Sequence, residues 1–310
     1  MNPGSFSDRG AEVALTEPRP AATGFFRYDG AFLRGLASLG ARYAPAWLLK
    51  RVPAACGLAF ALAMPGKRRK LRANLRRILG PRTSAEELLD VTRTFIGFAG
   101  CLTDALAMGR AVTPEIELCV IGDAHLREVL AAGRGAILAT AHTGGWEIAG
   151  PLLAKRFAVQ IMIAMRREPN GRARAIQDRA RAQSGMKVVH IDGEPLAVLP
   201  LFTHLRRGGV VGVQIDRTPE QGRAFAVELF GMPGRVPSGP FELARASGAP
   251  IVPVFARRRG YLAYDVEVGA PIHVARQASA EELVRAGRSV VGQLEAFLSA
   301  HPTDWFDFGT

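Results

Sequence analysis

The sequence predicts an α/β fold: a mostly parallel central sheet with helices on both faces, preceded by an N-terminal helical segment. Three observations carry this. Beyond residue 116, apolar runs of strand length alternate with stretches of helical periodicity, the pattern of repeated βα units. The run 136–141 has the length and bounds of a buried strand, and it passes through Gly144 and Gly145 into a helical pattern carrying Ile148, Leu152 and Leu153. Of the 310 residues 48% are hydrophobic, enough for a sizeable core and too many for a disordered chain.

Residues 1–24 are rich in Pro, Gly, Ser and Ala and lack an apolar centre, so they read as a disordered tail rather than a secretory signal. Residues 25–83 read as an amphipathic and basic helical segment. Within 25–49, Phe32, Leu33, Leu36, Leu39 and Tyr43 recur at helical spacing. Residues 52–64 are apolar but fall short of the roughly 20 needed to span a bilayer. Lys67, Arg68, Arg69, Lys70, Arg72, Arg76 and Arg77 follow. An apolar segment beside a basic cluster suits contact with an anionic membrane surface, because either signal alone binds weakly. A core helix followed by a solvated basic helix is the competing reading.

The α/β domain is placed at 84–310. Ser84 with Glu87 predicts a capping box, and the helix it opens carries Leu88, Leu89, Val91, Phe95, Phe98, Leu102 and Leu106 as a core stripe. Strands are expected at 117–121, 136–141, 159–164, 187–191 and 210–215, with helices near 125–132, 147–156, 172–184 and 195–207. A strand at 225–230, a loop GMPGRVPSGP, a helix at 241–247 and strands at 251–256 and 261–268 follow. Ser279 and Glu282 form a second capping box, opening a last helix to Ala300.

His142 stands at the end of the 136–141 strand, where open α/β sheets place their ligands. A histidine beside a carboxylate is the usual general-base arrangement, because the carboxylate fixes the tautomer and stabilises the imidazolium. Glu147, at the start of the next helix, is the carboxylate the sequence offers. The block HTGGWE, His142 to Glu147, resembles the H-x4-D/E block of the glycerolipid acyltransferases. It is most similar to the late acyltransferases of lipid A biosynthesis, the lauroyl/myristoyl family. RRKLRANLRRILG, with Asn74 and Leu75, resembles the family's pre-catalytic helix. MRREPNGRAR, GVQIDR, FGMPGRVPSGPFELAR and GAPIVPVF resemble later blocks in the same order, so the resemblance covers about 44–305.

The resemblance implies a glycerolipid-acyltransferase-like fold. It also implies transfer of a fatty acyl chain from an acyl thioester, carried by acyl carrier protein or by CoA. The acceptor would be a hydroxyl of a lipid A precursor or a related phosphate-bearing lipid. His142 and Glu147 would be catalytic. Arg166 and Asn170 would face the crevice, where the planar guanidinium suits phosphate. Asp216 would hold a basic site residue in place or help orient the acceptor, and reads equally as a strand-end residue that caps a turn; Arg217 beside it departs from the family's Asp-Gln pair. Ser238 and Gly239 open a helix whose backbone N–H groups suit an anion. Arg245 reads equally as a substrate contact and as half of a structural ion pair. Many members of the family carry an N-terminal membrane anchor, and peripheral attachment at the cytoplasmic face of the inner membrane is the expectation here.

A net charge of +12 favours polyanionic partners: anionic lipid, an acidic carrier protein or nucleic acid. A nucleic-acid-binding protein is therefore one alternative, although no known nucleic-acid module is visible and no nucleic-acid partner is expected. A thioesterase using the same His/Glu pair is another. No G-x-S-x-G elbow, HExxH motif, Walker loop or G-x-G-x-x-G after a strand is present, and neither cofactor nor metal is implied. Cys56, Cys101 and Cys119 lie in apolar segments without CxxC spacing and read as reduced core residues.

Overall fold

The structure, a computed structural model, describes residues 40, 43–108, 110, 114–165, 186–191, 195–218 and 222–308. The tail 1–24, most of the 25–49 amphipathic stretch, the 172–184 helix, Arg166 and Asn170 lie outside the described residues. Three helices lead: α1 (Ala46–Ala63), α2 (Pro65–Leu79) and α3 (Ser84–Ala107). β1 (Glu117–Ile121), α4 (Asp123–Ala131), β2 (Ala136–Thr140), α5 (Trp146–Phe157), β3 (Ile161–Met165) and β4 (Lys187–His190) follow. After a 3-10 turn come α6 (Leu199–Arg206), β5 (Val210–Gln214), β6 (Ala224–Leu229), β7 (Met232–Pro237), α7 (Gly239–Ser247), β8 (Ile251–Gly260), β9 (Ala263–Val268) and α8 (Ala280–Ala300).

Seven strands form one sheet in the order β1-β9-β8-β2-β5-β3-β4. β8, β2, β5, β3 and β4 run parallel, and the antiparallel β8–β9 pairing makes β9 and its parallel neighbour β1 run the other way. Side chains alternate across a strand, so two cores form. Ile137, Ala139, Val211 and Val213 face α6, α7 and α8 through Leu201, Leu205, Phe241, Ala244 and Val290. Ala136, Leu138 and Val252 face α4 and α5 through Leu126, Val129, Ala149 and Leu153. This is the expected sheet with helices on both faces.

The connections matter more than the layers. β2 leads through α5 to β3, on one side of β5. β5 leads through β6, β7 and α7 to β8, on the other side of β2. The adjacent strands β2 and β5 thus send their chains apart, and the position beyond their C-terminal ends is the usual ligand position in such sheets.

Several elements differ from expectation. GMPGRVPSGP is no loop: residues 232–237 form β7, antiparallel to β6 from Ala224↔Pro237 to Leu229↔Met232. The cap of α3 is Thr83, not Ser84. Its Oγ1 accepts from Glu86 N at 3.3 Å, and Glu86 Oε2 accepts from Thr83 N at 2.9 Å. Glu87 is otherwise engaged, accepting Arg76 Nη2 at 3.0 Å and facing Arg72 Nε at 3.3 Å. Val91 and Phe95 are buried in α3, but Leu88, Leu89 and Leu102 of the predicted stripe are exposed, because the buried face runs through Glu87, Asp90, Thr94 and Ala99 instead. Cys119 is exposed, and Cys56 and Cys101 are only partly covered.

α1 is longer than the apolar run that predicted it, since Trp47, Leu48 and Leu49 join it ahead of Lys50 and Arg51. Its 18 residues make it the one helix, among those described, long and apolar enough to cross a membrane. Only 22% of it is buried. Leu49, Pro53, Gly57 and Ala61 are the buried positions, and Gly57 lies so close to Ile96 of α3 that a Cβ would meet its backbone at 2.6 Å.

The helices are fastened to the sheet by a buried ionic group. Asp104 of α3, fully buried, accepts Arg258 Nε at 2.7 Å, Tyr264 OH at 2.7 Å and Leu262 N at 3.2 Å. Removing one partner of such a set strands the other charge, which costs about 3–5 kcal/mol. Asp104→Ala is therefore expected to lower stability by about that amount. Urea unfolding checks this: the midpoint falls while the m-value stays constant.

Candidate active site

β2 and β5 are paired in register, with Thr140 opposite Gln214, and Ile215 N donates to Thr140 O at 2.9 Å. Two residues beyond each partner, on neighbouring strand ends, stand His142 and Asp216. His142 Nδ1 lies 2.9 Å from Asp216 Oδ1. The backbone N–H of His142 donates to Oδ2 at 3.0 Å, and Trp305 Nε1–H donates to the same oxygen at 3.0 Å. The carboxylate is fully buried, and the imidazole keeps 17% of its surface exposed. Burial pushes the Asp216 carboxyl up, but the hydrogen bonds and charge of His142, with the indole of Trp305, outweigh it and hold the group below the ordinary aspartate value.

An ionised carboxylate on Nδ1 keeps the ring proton there and leaves the Nε2 lone pair for a substrate proton. The Trp146 ring stands edge-on to the imidazole, centroids 5.6 Å apart. The turn after His142 needs both glycines. Gly145 has φ +97°, and a Cβ there would meet the Tyr264 ring at 2.3 Å. A Cβ on Gly144 would meet Asp304 Oδ1 at 2.6 Å and Arg258 N at 3.1 Å. Thr143, fully buried, accepts Ala256 N on its Oγ1 at 3.2 Å, pinning the turn to β8.

The carboxylate on His142 Nδ1 is thus Asp216, a correction to the pairing of His142 with Glu147. Glu147 lies beyond the glycine turn in the first turn of α5, with an exposed side chain. Asp216 reaches the ring from the end of the adjacent strand. Of the two readings of Arg245, the described contacts show the structural ion pair. α7 runs from Ser238 toward Ser247 and feeds β8, whose Ile251 pairs with Ile137 at the start of β2. Arg245 is therefore at the sheet edge opposite His142, where it pairs with Glu242 at 2.5 Å and donates to Ala278 O at 3.2 Å. Ser238 and Gly239 open α7 at the His142 edge, and the Ser238 hydroxyl donates to Arg223 O at 3.2 Å.

Two residues, Gln214 and Trp305, carry no sequence signal strong enough to single them out. Gln214, two residues before Asp216, has a buried Nε2 with no hydrogen-bond partner among the described residues. Trp305 belongs to the site through Asp216, and the only signal for it is the aromatic and acidic ending DWFDF. Arg217, the departure from the family pair, turns away and donates from Nη2 to Phe306 O at 3.0 Å. No cluster of metal ligands occurs among the described residues.

A histidine paired with a buried carboxylate at the switch point of a mostly parallel sheet is an arrangement suited to proton-transfer catalysis. The chain belongs to the bacterial lipid A biosynthesis acyltransferase family, which it matches over residues 25–309. It is similar to phosphatidylinositol mannoside acyltransferases. The protein of that name from Mycobacterium tuberculosis is 27% identical over 252 residues, 78% of this chain and 76% of the relative. That from Mycolicibacterium smegmatis is 27% identical over 279 residues, 85% and 88% respectively. The protein is an acyltransferase acting on lipids, with a lipid acceptor and an acyl donor.

Beneath Gly144, burial pushes the Asp304 carboxyl up to about 7, with Arg257 opposing. A carboxyl raised in the folded state contributes its stability below the unfolded value and loses it as pH rises through the folded one. Asp304→Asn should therefore raise Tm relative to the parent by a few degrees at pH 8, and the gap should close toward pH 4, in scanning calorimetry across that range.

Proposed function

We propose that the enzyme moves a fatty acyl chain from an acyl thioester, on acyl carrier protein or CoA, to a hydroxyl of a phosphate-bearing lipid. A lipid A precursor fits, and so does a glycosylated phosphoinositide like the one in the relatives' name. The observation that carries the reading is the His142–Asp216 pair at the open end of β2 and β5. His142 Nε2 takes the proton of the acceptor hydroxyl as its oxygen attacks the thioester carbonyl. Asp216 stays ionised and balances the imidazolium. The proton then passes to the departing thiolate, so no acyl-enzyme is required. Glu147 is kept as a second carboxylate on the acceptor side. Arg166 and Asn170 are assigned to phosphate and headgroup contact, and the N–H groups at Ser238 and Gly239 to anion binding. With water as acceptor the same site is a thioesterase, which makes hydrolysis a side reaction. The nucleic-acid alternative is left with only the basic run for support.

His142→Ala should lower transfer by about 10²–10⁴-fold. Asp216→Asn should cost kcat about 10²-fold or more with little change in KM, and more than Glu147→Gln does. Acyl-carrier-protein and acyl-CoA donors, incubated with a panel of lipids and read by mass spectrometry, test these values and identify the acceptor. Near-normal turnover of His142→Ala refutes the mechanism.

Attachment to a membrane is read from α1 and α2. Trp47, Leu58 and Leu62 stand 62%, 49% and 66% exposed on α1, a large apolar display for a protein surface. α2 presents Arg69, Lys70, Arg72, Arg76 and Arg77 to solvent and buries Leu71 and Leu75. We read this as a peripheral contact with the anionic cytoplasmic face of the inner membrane. Each basic residue near such a surface adds about 1 kcal/mol, which salt screens, while the apolar contact resists salt. Flotation with anionic liposomes should weaken in high salt without vanishing. Replacing Lys67, Arg68, Arg69 and Lys70 by Gln should weaken it at low salt. Binding indifferent to lipid charge and salt would mean that α1 is an integral anchor.

A further inference from the structure

A buried carboxylate must have its lone pairs filled to stay ionised and to keep one orientation. Asp216 Oδ1 is used by His142 Nδ1, and Oδ2 is shared by His142 N and Trp305 Nε1. Trp305 thus supplies the one contact to this carboxylate, among the described residues, that does not come from the histidine. The indole is only 4% exposed. Its surroundings fix it on every side. Phe306 N donates to His142 O at 2.8 Å, and Thr143 and Trp305 form a bridge. Phe306 and Phe308 pack edge-on against Phe98 of α3 at 5.5 and 5.2 Å. Asn74 Nδ2 of α2 donates to Asp307 O at 3.0 Å and to Asp307 Oδ2 at 3.1 Å.

We propose that Trp305 is a positioning residue for acyl transfer, and that residues 305–308 form a strap holding the catalytic base from the C-terminal end of the chain. The indole N–H keeps Asp216 in the one rotamer that places Oδ1 on Nδ1 of His142. Without it the carboxylate turns, and the ring loses its fixed tautomer. The inference rests on His142 being the base.

Trp305→Phe removes the donor and keeps most of the apolar volume. The expected result is a fall in kcat of roughly 10- to 100-fold, the worth of one hydrogen bond to a charged group, with KM for donor and acceptor nearly unchanged. The acid limb of the kcat/KM profile should move to lower pH, because a carboxylate that has turned from Nδ1 stabilises the imidazolium less. Other charged groups around the pair are Asp304 and Arg257 beneath the Gly144 turn and Arg217 and Asp307 along the strap; all are present in parent and variant alike. Val290→Ala, a truncation in the α6–α8 core, should lower Tm without moving kcat or the limb. In Asp216→Asn protein, adding Trp305→Phe should cost almost nothing more, since both act through the same carboxylate.

Transfer from palmitoyl-CoA to phosphatidylinositol mannoside, with palmitoyl-CoA hydrolysis as second readout, supplies the rates. Labelling the indole nitrogens of the three tryptophans supplies a readout that needs no substrate. The signal lost in Trp305→Phe should be protected from solvent exchange in the parent and should shift in Asp216→Asn. Full kcat in Trp305→Phe, additive losses in the double variant, or an indole signal blind to Asp216→Asn would each overturn the strap. An active His142→Ala would instead overturn the base itself.

Discussion

The contact between His142 Nδ1 and the Asp216 carboxylate is the constraint around which the site is built. It joins residues 74 positions apart, so it exists only because β2 and β5 are neighbours in register. That neighbourhood is a consequence of topology: the chain visits β3 and β4 before it returns to insert β5 beside β2. The two strands then diverge, one toward α5 and one toward α7, and leave His142 and Asp216 at their exits. The glycine turn, the Thr143 anchor and the buried carboxylate hold the imidazole in one place.

The leading helices belong to the same construction. Asp104 of α3 gathers Arg258, Tyr264 and the Leu262 backbone at the β8–β9 hairpin, and Tyr264 is the ring against which Gly145 must pack. Asn74 of α2 holds Asp307, two residues from Trp305 and hence close to Asp216. The basic helix α2 is thereby hydrogen-bonded to the 305–308 segment, whose Trp305 contacts Asp216.

Much of this was legible in the residues. Strand runs at 117–121 and 210–215 stand out because apolar β-branched residues cluster there between polar helical stretches, and Ser279 with Glu282 caps α8 as its spacing predicts. His142 was visible because a strand end followed by two glycines is a local signal. Its partner was not. A sequence spacing finds Glu147, on the same stretch of chain, but strand order decides which distant carboxylate shares the plane of the ring. β7 was hidden by its two prolines and a glycine, tolerated because it pairs only with β6. Thr83 and Ser84 both satisfy the capping pattern, and the choice is made by Arg72 and Arg76, which engage Glu87. Trp305 had no local signature, because its role is a contact with a residue 89 positions earlier.

The central claim is that Asp216 governs the proton on His142, and nitrogen NMR of the labelled imidazole tests it most directly. At neutral pH Nδ1 should carry a proton with a downfield resonance and Nε2 should be unprotonated. That signal should be lost or shift strongly in Asp216→Asn and persist in Glu147→Gln. A proton on Nε2 instead, or a signal that vanishes with Glu147→Gln and survives Asp216→Asn, would contradict the account.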